Sequence, residues 1–316
     1  MNSTFIKPTW YILGAGALGC LWASYWRQAG FPVVLITPRL RKHAFIELHI
    51  KREGQSQDKK TQVDIEQLTI DQLAASENLI EYLLVSTKAQ HTLEAIAAIK
   101  QTISKHATLL ILQNGMAAKQ LPALLPTQNL ITGITTDGAY RTEQNVVVHA
   151  GHGVTHFGCN KILLQYLPTQ YLTIEACHDI EIRQWQKFAV NCAINGLTAI
   201  YQCRNGELLN NPEARQRLTT ICDEIFSVAK ALGISEHLTQ ITTQVEDTLR
   251  ATAENYSSMY QDISHSRSTE IDFINGCLCE IAEKYSISCE ENQRVIQEIK
   301  NLEAKQLEKS GTMISE

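Results

Sequence analysis

Lys187, Asn191 and Asn195 recur at i, i+4 and i+8 within RQWQKFAVNCAINGLT, residues 183–198. On an α-helix this spacing stacks one ammonium and two carboxamides on a single face, each step rising about 6 Å and drifting about 40°. Between them lie Phe188, Ala189, Val190, Cys192, Ala193 and Ile194, which would be packed on several sides. Buried amides and ammonium groups are costly unpaired, so the stripe must find partners. Asparagine is also a mediocre helix former, and two on one stripe ask for a reason other than helicity. The chemistry that fits is reduction of a 2-keto acid. A buried lysine of lowered pKa can hydrogen-bond a ketone oxygen and give it a proton, while carboxamides hold the substrate's other oxygens without a competing charge. The plainer alternative is a lysine reaching solvent, with asparagines capping neighbouring elements, and spacing alone leaves both open.

A second constellation lies near the N-terminus. Trp10–Leu13 reads as a short buried strand, and Cys20 to Ala29 has helical character. Between them Gly14-Ala15-Gly16-Ala17-Leu18-Gly19 gives G-x-G-x-x-G in the strand–turn–helix setting of a dinucleotide fold. Gly14 permits the tight turn, Gly16 lets backbone approach a pyrophosphate, and Gly19 lets the helix pack against the strand. The helix N-terminus adds N–H groups and partial positive charge. A structural turn that binds nothing is the competing reading. The carboxylate that usually meets the ribose 2′-hydroxyl of NAD about 20 residues on is missing. The strand Val33–Thr37 ends in Pro38-Arg39-Leu40-Arg41-Lys42, and the first acid of the chain is Glu47. A guanidinium can bind a 2′-phosphate bidentately where a carboxylate would repel it, so NADPH/NADP+ is expected, against the alternative of a solvated basic loop.

The elements that must position these groups change in kind halfway along the chain. Up to about Cys177, strand-like runs alternate with helical patterns: strands at Leu79–Ser86, Thr108–Leu112, Leu130–Ile134, Val146–His149 and Val154–Phe157, and a helix at His91–Ser104. The polar stretch Lys51–Lys60 reads as a hairpin or surface loop. Beyond, helices are expected at 179–201, 213–232, 236–256, 266–285 and 290–308, punctuated by Asn211-Pro212 and Gly233. The fold class is therefore an α/β Rossmann-type N-terminal domain with a mostly parallel sheet, residues 1–178, plus an all-α C-terminal domain, residues 179–316.

Composition bounds the function. At 316 residues, 44% hydrophobic and 19% charged, the chain reads as an ordinary globular protein of two domains. A formal net charge of −5 gives no reason to expect nucleic acid. There is no run of 18 apolar residues and no charged-then-apolar leader, so no membrane partner and a cytoplasmic location are expected. The nine cysteines lack metal spacing and read as reduced. His149, His152 and His156 straddle Gly151 and Gly153 and read as a surface hairpin rather than a metal site. Tyr256 and Tyr260 read as core aromatics, Glu303 to Lys309 as a solvated helix end, and Glu270 as a solvated carboxylate.

Taken together these residues resemble the ketopantoate reductase family over nearly the whole chain. The resemblance rests on LGAGALG (13–19), STKAQ (86–90), LQNGM (112–116), WQKFAVNCAINGLTAI (185–200), RNGEL (204–208), AENYSSMYQDI (253–263) and TEIDFINGCL (269–278). It implies NADPH-dependent reduction of 2-dehydropantoate to (R)-pantoate on the way to coenzyme A. The competing functions are reduction of another branched 2-keto acid and a non-catalytic NADP sensor. By the same resemblance Lys187 is the proton donor and Asn191, Asn195, Asn205, Asn255 and Ser258 bind substrate. Asn114 would meet both the nicotinamide ribose and the substrate, Lys88 the cofactor phosphates or ribose, Ala139 the nicotinamide, and Glu270 the cofactor–substrate junction. The implied partner is a small 2-keto acid, on a monomer or homodimer. The match departs from the family at Pro38, which stands where a basic residue is expected and shifts that role by one position to Arg39. It departs again between Gly158 and Cys177.

Overall fold

The computed structural model describes residues 6–51, 59–115, 121–125, 127, 129–142, 145–158 and 163–312. Met116, Cys159 and most of the polar stretch Lys51–Lys60 lie outside them. The chain divides into two compact units, Met1–Ile180 and Glu181–Glu316.

In chain order the first unit comprises β1 (Trp10–Leu13), α1 (Ala17–Gln28), β2 (Val33–Thr37), β3 (Phe45–Ile50), β4 (Lys59–Asp64), β5 (Glu66–Thr69) and α2 (Ile70–Ala74). It continues with β6 (Ile80–Val85), α3 (Ala89–Ile99), β7 (Ile103–Leu112), β8 (Leu130–Thr135), β9 (Gly138–Arg141), β10 (Val146–Gly151), β11 (Val154–Gly158) and β12 (Thr173–Cys177). Eight strands form one sheet in the order β12-β11-β8-β7-β6-β1-β2-β5, parallel throughout except where β11 meets β8. Both faces of β1 and β2 are covered, which is why WYIL and VVLIT are apolar without alternation. Trp10, Ile12 and Leu35 pack with Trp22 and Trp26 of α1, and Tyr11, Leu13, Val34 and Ile36 with Ile96 and Ile99 of α3.

A second sheet, β4-β3-β10-β9, lies outside the sequence expectation. Its Ile46, Leu48 and Val147 share a core with Leu21, Trp22 and Tyr25, so α1 is sandwiched between two sheets. Every residue from Gly19 to Trp26 is buried, as a helix apolar all round requires. The hairpin expected at His149–His156 is corrected by this arrangement, because β10 and β11 belong to different sheets. His149 is fully buried and bridges Tyr25 Oη (2.7 Å) and Asp137 Oδ1 (3.1 Å). Burial pushes the Asp137 carboxyl up, but hydrogen bonds from His149, the Gly153 N–H and Thr135 outweigh it and hold the group below the usual carboxylate range.

The second unit carries α4 (Ile180–Ile200, its first residue closing the first unit), α5 (Pro212–Ala231), α6 (Ile241–Ala251), α7 (Ser258–Ser264), α8 (Asn275–Lys284) and α9 (Glu290–Thr312). Asn211 caps α5 by accepting from Glu213 N and Ala214 N, with Pro212 in the first turn, and Gly233 follows the helix at φ +72°. The single helix expected over 266–285 is broken. Residues 271–273 form a 3-10 turn, the Thr269 hydroxyl accepts from Ile271 N, and α8 starts only at Asn275. Among the described residues no helix is long and apolar enough to cross a membrane.

Candidate active site

In the large sheet β1 is flanked by β2 on one side and β6 on the other, so the strand order reverses beside it. Open α/β sheets bind ligands outside the carboxyl ends of their strands at such a point. The glycine turn sits there. Gly14 has φ +116°, and a Cβ on it would lie 2.6 Å from Thr87 N. A Cβ on Gly19 would lie 2.0 Å from Gly14 O, so helix and turn touch only because residue 19 is glycine. At Gly16 a Cβ would meet open space. Gly16 is also the N-cap of α1, without a side-chain cap and with no acid in the first turn, which leaves the N–H groups around Ala17 and Leu18 for an anion. These residues fit the pyrophosphate of a dinucleotide.

Neighbouring strand ends are tied to this turn. Ser86 N donates to Leu13 O at 2.9 Å and Ser86 Oγ to Gly14 O at 3.2 Å. Half-buried Lys88 is the N-cap of α3. Gln113 Nε2 donates to Thr87 O at 2.6 Å and also to Thr92 Oγ1, fixing the backbone that carries half-buried Asn114. Sequence reasoning missed Gln113 as a positioning residue, although it directly precedes Asn114 in the motif. Ala139 stands apart on β9, paired with His149 and packed on the same core as Ala15 and Leu18. Arg39 is exposed beyond β2, and its carbonyl accepts from Thr37 Oγ1 at 2.8 Å.

In the second unit α4 carries the expected stripe, with Lys187 and Asn191 half-buried and Asn195 buried. Burial brings the Lys187 pKa down to about 8, and the Glu270 carboxylate pulls it partly back up. Glu270 is thus a buried group coupled to Lys187, correcting the solvated carboxylate expected from its sequence surroundings. Glu303 is corrected likewise. Its Oε1 accepts from Thr269 N at 2.7 Å, so α9 holds the backbone next to Glu270.

Further along the stripe, Ser257 is the N-cap of α7, accepting from Tyr260 N at 3.0 Å and from Thr198 Oγ1 at 2.7 Å. Asn195 O lies 3.5 Å from the same hydroxyl. Exposed Ser258 is therefore the first helical residue, and the capping work falls to Ser257. Asn205 N donates to the carbonyl of exposed Asn255 at 2.9 Å, and its Nδ2 to Thr252 Oγ1 at 2.9 Å. The buried Asn205 Oδ1 has no protein partner, as suits a residue that awaits a ligand donor. Tyr256 and Tyr260 stack at 4.3 Å with Arg204 over the Tyr256 ring, and Tyr256 is 39% exposed, so the pair is a surface stack rather than core. The second unit thus carries an ammonium of lowered pKa balanced by a carboxylate, with several neutral hydrogen-bonding groups on the same helix and on α7 and the segment after α4.

Known proteins resemble this chain over most of its length. Residues 10–161 match the family described as "Ketopantoate reductase PanE/ApbA", and residues 179–303 match "Ketopantoate reductase PanE/ApbA C terminal". A 2-dehydropantoate 2-reductase of Vibrio cholerae serotype O1 is 33% identical over 303 residues, 92% of this chain and 97% of the relative. One from Archaeoglobus fulgidus is 28% identical over 301 residues, 93% and 97% of the two chains. Among solved structures, a PanE/ApbA family ketopantoate reductase from Ralstonia eutropha JMP134 has a TM-score of 0.83 at 24% identity, covering 95% of this chain and 99% of the other. D-mandelate dehydrogenase with NADH and anilino(oxo)acetate reaches 0.84 at 23% identity, covering 94% and 99%. At these identities the two structures speak for a shared fold.

Proposed function

The chain belongs to the ketopantoate reductase family, and from that premise we propose that it reduces 2-dehydropantoate to (R)-pantoate with NADPH, on the route to pantothenate and coenzyme A. The observation that carries the reading is Lys187, a lysine brought down to about 8 at the head of an asparagine stripe. An ordinary surface lysine keeps its proton too firmly to serve as an acid near neutral pH, whereas this one is poised to release it.

When bound, NADPH supplies the hydride for the substrate's carbonyl carbon. The chain does the rest. Lys187 Nζ hydrogen-bonds the C2 oxygen, polarises the carbonyl and delivers its proton as that oxygen gains charge. Glu270 opposes the effect of burial and keeps the amine protonated in the resting site. Asn191 and Asn195 orient the substrate along α4, and Asn205, Asn255 and Ser258 hold its carboxylate and hydroxyl ends. Gly14, Ala15, Gly16, Ala17, Leu18 and Gly19 cradle the pyrophosphate, Lys88 and Asn114 bind at the phosphate and ribose end of the nicotinamide half, Ala139 lends backbone there, and Arg39 serves the 2′-phosphate.

Purified protein should consume NADPH when 2-dehydropantoate is added and yield pantoate. A panel of branched 2-keto acids compared by kcat/KM tests the substrate. Preference for an acid without the hydroxyl would move the assignment to another keto-acid reductase, and absence of turnover on every acid would leave a sensor.

A further inference from the structure

Arg141 has no part in the roles above. It is an exposed residue at the end of β9, in the smaller sheet, and its Nη1 donates to Ala15 O of the glycine turn at 3.0 Å. With Ala15, Thr37, Pro38, Arg39 and Arg41 it lines a cavity of about 280 Å³. Whole small-molecule sites run from about 300 to 1,000 Å³, so this one suits a single fragment of a ligand. Three arginines and no acidic residue are among the six that line it.

Position and chemistry indicate which fragment. The cavity lies where β2 ends beside the glycine turn, the place at which a βαβ nucleotide unit meets the ribose hydroxyls of the adenosine. Arg41 is about nine-tenths buried there. Its Nη1 donates to Cys20 Sγ at 3.2 Å, but Nη2 is buried with no protein partner. A buried, unpaired guanidinium N–H is costly, and an anion in the cavity would satisfy it after a small shift of the Arg41 side chain toward it. A phosphate monoester near neutral pH carries close to two negative charges and three acceptor oxygens, enough for two guanidinium groups at once.

We propose that Arg141 is a cofactor-specificity residue, holding the 2′-phosphate of NADPH together with Arg41. The inference rests on the reading of the glycine turn as an NADP site. It relieves Arg39, which is exposed and one position out of register with the family, of sole responsibility for the phosphate. The competing role for Arg141 is structural. Through its bond to Ala15 O it could brace the turn, and loss of it would then weaken every adenine nucleotide alike.

Calorimetric titration with adenosine 2′,5′-bisphosphate and with 5′-AMP separates these roles without relying on turnover. Arg141→Ala should weaken the bisphosphate about 10- to 100-fold while 5′-AMP binding is unchanged, because one charge-assisted pair is lost. Arg141→Lys, which keeps charge but loses the fork, should recover part of the loss. Equal weakening of both ligands makes Arg141 a brace and overturns the proposal, as does a bisphosphate affinity that does not change. A wild-type protein that binds the two ligands alike overturns the NADP reading itself, and the Arg141 assignment with it.

Discussion

At the scale of single residues the proposed reaction depends on the balance at Lys187. Burial lowers its pKa, Glu270 raises it, and burial wins, leaving the amine at about 8. A general acid works only while it holds its proton, so kcat/KM should be level at neutral pH and fall about tenfold per pH unit above that value. Lys187→Ala should lower kcat by about 10²- to 10⁴-fold and leave the Kd for NADPH nearly unchanged. A variant that keeps near-wild-type kcat would remove Lys187 from the chemistry. Glu270→Gln deletes the group that raises the lysine, so the alkaline limb of the profile should move to lower pH. A limb that stays in place, whatever happens to KM, would mean that Glu270 does not tune the acid.

At the scale of elements the question is what keeps α4 and the glycine turn in position. Gly196, one residue past Asn195, lets α4 approach α9, and a Cβ there would lie 2.4 Å from Val295 Cγ1. In an isolated helix Gly→Ala gains about 1 kcal/mol in propensity. Overpacking against a stiff β-branched neighbour costs about 1–3 kcal/mol, so Gly196→Ala should lower stability to urea. Adding Val295→Ala should return part of the loss, and strictly additive effects would show that the two helices do not meet through this pair. The same elements explain what could be read in advance. The glycine turn and the Lys187–Asn191–Asn195 stripe were legible because each lies within one local period, where spacing alone fixes geometry. The smaller sheet was not, since β3 and β10 pair across nearly a hundred residues. Its local traces, the alternation of Ile46, Leu48 and Ile50 and the apolar run expected as a strand at Val146–His149, do not say which strand pairs with which. Burial of His149 and the placement of Arg141 beside Ala15 follow from that sheet, so they were hidden with it. Residues 266–285 kept a helical pattern but are helical only from Asn275, because Glu303 takes Thr269 N from across the unit and the Thr269 hydroxyl takes Ile271 N locally.

At the scale of the whole molecule, the proposed roles fall on two units, and that division can be tested by ligand linkage. The net charge of −5 does not prevent the first unit from attracting a polyanionic cofactor, because the chain has no acid before Glu47 and the cavity beside the turn carries Arg39, Arg41 and Arg141. Of the four tryptophans, Trp10, Trp22 and Trp26 cluster in the core of that unit, with Trp10 and Trp26 stacked at 4.3 Å, while Trp185 lies on α4. In a Trp185→Phe variant all indole emission therefore reports on the first unit. A ligand that binds only the native state adds about 2.7 kcal/mol when present at a hundred times its Kd. Urea unfolding of that variant, followed by emission, should show a gain of this size with NADPH at such an excess. The emission midpoint should not move with 2-dehydropantoate alone, whose binding groups are assigned mainly to the second unit. An emission transition indifferent to NADPH would separate the glycine turn from cofactor binding, and the division of labour between the units would have to be drawn differently.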